Sequence, residues 1–125
     1  MGVKIRFCEY ATQHADGTFT VLRAGIDHWS SAVPFGLQLW AFVDLDAGEI
    51  PTGKHEFALV CVDAAKVQLS ECKGEIQVLD AALPQRIFLP IAGMVTKHGK
   101  LVAVFTAAGK VYSAEIDVRA PVLAH

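Results

Sequence analysis

Phe35-Gly36-Leu37-Gln38-Leu39-Trp40-Ala41-Phe42-Val43-Asp44-Leu45-Asp46 is the stretch on which the fold turns. Successive side chains of a strand point to opposite faces. Phe35, Leu37, Leu39, Ala41 and Val43 therefore share one face, and Gln38, Trp40, Phe42 and Asp44 share the other. A helical period of 3.6 would scatter both sets. The first face is expected to point into a core. The second is more apolar than water favours, so it is either buried or meets a partner.

Working outward, short apolar runs are broken about every 10 residues by turn residues, the spacing of a sandwich or barrel. In residues 3–13, Val3, Ile5 and Phe7 alternate with Lys4 and Arg6. The phase then slips, with Cys8 and Tyr10 inward and Glu9 outward, as a β-bulge would produce. Asp16-Gly17 is a hairpin signal, and residues 18–29 are expected to return as one strand interrupted at Gly25. Beyond the central stretch, residues 47–54 connect to strands over 55–63 and 67–78. Residues 79–85 cross over. Residues 86–95 contain Pro90, which confines them to an edge or a bulge. His98-Gly99 and Ala108-Gly109-Lys110 turn into strands over 101–107 and 111–119. Residues 1–2 and 120–125 are expected to fray.

No dozen residues sustain helical periodicity. The expectation is one all-β domain over residues 1–125. It is a two-sheet antiparallel sandwich of about eight strands, Greek-key and immunoglobulin-like. The Cys…Trp…Cys pattern of antibody domains is not in the sequence.

Composition narrows the function classes. The 125 residues are 53% apolar and 19% charged, with a formal charge of −2. Lysines and arginines never adjoin, so there is no footprint for nucleic acid or an anionic membrane. No run reaches the length of a membrane helix. The start, Met1-Gly2-Val3-Lys4-Ile5-Arg6, lacks the apolar region of a signal peptide. Cys8, Cys61 and Cys72 are odd in number and widely spaced, so they are expected to be reduced in a cytoplasmic protein.

Phe7-Cys8-Glu9-Tyr10-Ala11 before Asp16-Gly17, with Leu22-Arg23-Ala24-Gly25-Ile26 after it, resembles a bacterial family of unknown function. The stretch from Pro51-Thr52-Gly53-Lys54-His55 to Asp63 and the closing residues 102–118 are similar to that family as well. Lys66 departs from the pattern, standing where glycine would close the Asp63 turn. The resemblance implies an immunoglobulin-like β-sandwich and supplies no catalytic residues.

Chemistry-bearing residues are sparse in pattern. Asp44-Leu45-Asp46-Ala47-Gly48-Glu49 begins like a calcium loop. An EF-hand, however, needs an oxygen ligand fifth, glycine sixth and glutamate twelfth, where this chain has Gly48, Glu49 and His55. A looser metal site at one pole could gather Asp44, Asp46 and Glu49 with Asp27 or Asp63. The histidines, His14, His28, His55, His98 and His125, have no ligand spacing between them. No G-x-S-x-G elbow, phosphate loop or dinucleotide fingerprint occurs, so no catalytic residue and no cofactor is expected. Trp29, Trp40, Phe42 and Gln38 are the candidate ligand or interface residues. Tyr10 is a candidate sandwich-corner tyrosine. The leading expectation is a non-enzymatic interaction or assembly module that forms a homodimer or binds another protein. The alternative is a small-ligand or metal-ion module using the acidic loops at one pole.

Overall fold

The central stretch forms a strand, β5 (Phe35–Leu45), flanked on one side by β1 (Val3–Cys8) and on the other by β8 (Gln85–Val95). This computed structural model describes residues 3–13, 15, 19–22 and 25–121, and for residues 10–13 and 19–22 the backbone alone. The second sheet has the order β4 (His28–Ser30), β10 (Lys110–Arg119), β9 (Gly99–Ala107), β6 (Gly53–Val62), β7 (Gln68–Val78). β2 (Tyr10–Gln13) and β3 (Phe19–Leu22) pair as a hairpin. There is no helix among the described residues, so the all-β expectation holds and no helix is long and apolar enough to cross a membrane.

The two sheets close on one apolar cluster. β5 and β8 contribute Leu37, Leu39, Val43, Leu89 and Ile91, and the larger sheet contributes Leu59, Leu101, Phe105 and Ile116. The inward face of β5 is the expected one, with Leu37, Leu39, Ala41 and Val43 buried and Phe35 packed against the cluster. The slip expected at Cys8 is not there: β1 keeps one register against β5 from Val3 to Cys8, so Phe7 faces the core with Ala41 while Cys8 shares the face of Trp40. Both are buried, each on its own face, and Glu9 is exposed. Past Cys8 the chain pairs within the β2–β3 hairpin. The turn at residues 16–17, the side chain of Tyr10 and the ends at 1–2 and 122–125 lie outside the described residues.

Two further expectations are corrected. Residues 18–29 are not one strand. Gly25 adopts φ +84°, a conformation that costs glycine little. There the Gly25 and Ile26 amides donate to the Phe7 carbonyl at 2.9 and 3.0 Å. The chain thus docks on β1 and departs in a new direction as β4. Nor is the pairing antiparallel throughout: β4 runs parallel to β10, with His28 opposite Asp117 and Ser30 opposite Arg119. Splitting the first run and the return strand raises the described strands from the expected eight to ten. Pro90 sits at the sheet's edge, as expected, and β8 runs through it without a register shift.

Ala107 pairs with Lys110 across a two-residue turn in which Ala108 has φ +51° and Gly109 φ +76°. Two positive φ values make a type I′ turn, whose preferred first residue is asparagine. Alanine in that region is strained by about 1 kcal/mol. Ala108→Asn is accordingly expected to raise stability by about 0.5–1 kcal/mol, or about 2–4 °C in Tm. A thermal melt showing no rise would mean that the strain is absent.

Candidate interaction surface

Cross-strand partners in a sheet share a face, so the register fixes what the three-stranded sheet turns outward. Arg6 lies opposite Phe42, which lies opposite Phe88; Trp40 lies opposite Pro90, Gln38 opposite Ala92, and Gly36 opposite Met94. Phe42 and Phe88 meet edge to face, their centroids 4.8 Å apart at 73°, the arrangement their quadrupoles favour. Trp40, Phe42 and Phe88 are half-buried, and Met94 is 58% exposed. Polar residues bound this apolar band at one end. Asp44 lies opposite both Lys4 and Arg86, with the Arg86 guanidinium 3.7 Å from its carboxylate. Cys8, opposite Trp40 on this same face, is fully buried, and its thiol donates to the Trp40 carbonyl at 3.5 Å. Burial pushes that thiol's pKa up, which keeps it protonated and unreactive.

Of the residues singled out in the sequence, Trp40, Phe42 and Gln38 share this face. Trp29 does not. It lies on β4 in the other sheet, half-buried against the core and opposite Val118. Sequence reasoning missed Phe88, Pro90, Ala92 and Met94. Their signal was the run 87–95, which is apolar at both parities, as in a strand covered on both faces.

The acidic residues are not gathered. Among the described residues no three His, Cys, Asp or Glu side chains are placed to hold a metal ion. Glu49 accepts the Tyr112 hydroxyl. The Lys110 ammonium donates to the Glu49 backbone carbonyl at 2.9 Å and to its carboxylate at 3.3 Å. The Tyr112 hydrogen bond, then Lys110, holds the Glu49 carboxyl below its ordinary pKa. Burial, then Glu49, pushes Tyr112 up to about 12. Asp63 is buried and accepts the Ala65 and Val67 amides at 2.9 and 3.0 Å and the Thr96 hydroxyl at 3.3 Å. Its oxygens serve a turn, closed by Lys66 at φ +66°. Asp44 and Asp46 line one depression with Val3 and Lys4. Asp27 is exposed and bonded to the His28 ring at 2.8 Å. His55 and His98 donate to the Pro51 and Ser31 carbonyls at 2.7 and 2.8 Å, as loop ties. The three cysteines are free. Burial raises Cys61 to about 12.

No protein-family model matches the chain, and no curated protein matches it significantly.

Proposed function

We propose that the chain is a non-enzymatic assembly module that pairs with a second copy of itself through the outer face of the three-stranded sheet. The observation that carries this is the double-sided apolar character of β5 and β8, whose outward band holds Trp40, Phe42, Phe88, Pro90 and Met94. A contiguous apolar patch rimmed by polar groups marks an interaction site. Two-fold pairing is the commonest way to cover one. Aromatic side chains each bury about 150–250 Å², at roughly 25 cal/mol per Å² before association costs. On this reading the chain is a cytoplasmic member of the bacterial family it resembles, in keeping with its free thiols. Its path is a Greek key of immunoglobulin type, in which β9 returns beside β6 after β8 has crossed to the other sheet.

Light scattering at micromolar concentration is the test. The unaltered chain is expected to associate. Met94→Glu, at an exposed position, is expected to give a folded protein of lower mass with unchanged circular dichroism. Trp40→Gln should do the same if Trp40 anchors the contact. A monomeric unaltered chain, or variants that keep its mass, would overturn the reading. Trp40→Gln that loses stability at unchanged mass would make Trp40 a core residue.

A further inference from the structure

An antiparallel sheet with one solvated face alternates apolar and polar residues. β6 and β9 do not. Leu59 and Cys61 on β6, and Leu101, Ala103 and Phe105 on β9, are buried in the core. The residues between them, Val60 and Val62 on β6 and Val102 and Val104 on β9, face outward and are valines as well. The register sets Val60 opposite Val104 and Val62 opposite Val102, which makes one block. On the next strand Val111, 68% exposed and opposite Thr106, lies diagonal to Val104 at the edge of the block. The flanking strands return to polar outward residues: Glu71 and Lys73 on β7, Ser113 and Glu115 on β10. An apolar block with a polar rim is the anatomy of a docking surface.

The rim identifies the occupant. Lys73 lies 3.7 Å from Glu71 on one side, and Lys100 lies 3.0 Å from Glu115 on the other. Each side therefore carries both signs. A partner of one sign, such as a nucleic acid, an anionic membrane or a polyacid, would meet a like charge on either side. A copy related by a two-fold axis presents the same mixed rims and can set lysine against glutamate. The size fits too. Four strands about 4.8 Å apart and about nine residues long present roughly 600 Å² even as a flat projection, near the roughly 800 Å² per partner of a standard interface.

We infer that this valine face is a second self-association surface, on which another copy of the chain docks sheet against sheet. It is independent of the contact proposed above and lies on the opposite side of the core. A chain with both faces is bivalent, and two opposed two-fold contacts stack copies in a row instead of closing at a dimer.

The experiment is light scattering across a concentration series on the unaltered chain, Val104→Glu, Val111→Glu, Met94→Glu and the Val111→Glu/Met94→Glu double variant, each checked for fold by circular dichroism. Val111 is the more exposed position and serves if Val104→Glu does not fold. The unaltered chain is expected to exceed a dimer as concentration rises, each folded single variant to stop at a dimer, and the double variant to be a monomer. A folded Val111→Glu that keeps the unaltered mass overturns this inference, whatever Met94→Glu does. If Met94→Glu keeps that mass while Val111→Glu lowers it, the aromatic contact falls and the valine contact stands. A chain that stays monomeric at every concentration overturns both.

Discussion

Phe105→Ala is expected to lower the unfolding free energy by about 3–5 kcal/mol, the usual cost of emptying a phenylalanine site in a core. Phe105 is 0% exposed and is the largest fully buried side chain among the described residues. Its ring lies between two others, 5.9 Å from the Phe57 centroid and 6.4 Å from that of Tyr112. Leu59 and Tyr112 are its cross-strand partners. Strands paired on both sides cannot close over the missing ring without breaking ladder bonds, so most of the cavity should remain. Domains of this length are typically stable by roughly 6–19 kcal/mol, so the loss is a large share of the whole. Urea unfolding should show the midpoint falling with an unchanged slope. A loss under about 1 kcal/mol would mean that the row is loosely packed.

Asp63→Ala is expected to cost about 2–4 kcal/mol, through polarity and not volume. Asp63 is 3% exposed. Removing its carboxylate strips the Ala65 and Val67 amides and the Thr96 hydroxyl of their acceptor. The three donors sit on exposed residues, so water replaces part of what the carboxylate supplies, and the cost is that of three hydrogen bonds to it, about 0.5–1.5 kcal/mol each. Asp63→Asn retains one carbonyl oxygen for the two amides and should cost about half as much. Equal losses for the two variants would show that the hydrogen bonds are not the cause. Faster amide exchange at Ala65 and Val67 in Asp63→Ala would localise the damage.

The inward face of β5 is legible in sequence because its inward positions hold mostly large aliphatic groups. Its polar residues, Gln38 and Asp44, fall in the other phase. The Ala108-Gly109 turn is legible because it is local. β4 is not. It is three residues long and lies parallel to a strand near the far end of the chain, a pairing that leaves no local pattern. The acidic quartet shows the same boundary. Asp44, Asp46, Glu49 and Asp63 are the right residue types for a cation site. What occupies Glu49 comes from Lys110 and Tyr112, and part of what occupies Asp63 from Thr96, all remote in sequence, while the Ala65 and Val67 amides on Asp63 are local. The apolar runs in β6, β8 and β9 were visible as composition. That half of each run turns away from the core is set by the register between the strands, which only the three-dimensional arrangement reveals.

The placement of β5 between β1 and β8 also sets a clock on the newborn chain. One neighbour precedes it in synthesis and the other follows β6 and β7. At roughly 5–20 residues per second, the roughly forty residues between Leu45 and Gln85 take about 2–8 s to make. For that interval one edge of a strand apolar on both sides has no partner in its own chain, while the β6–β7 hairpin, whose strands are consecutive, needs no such wait.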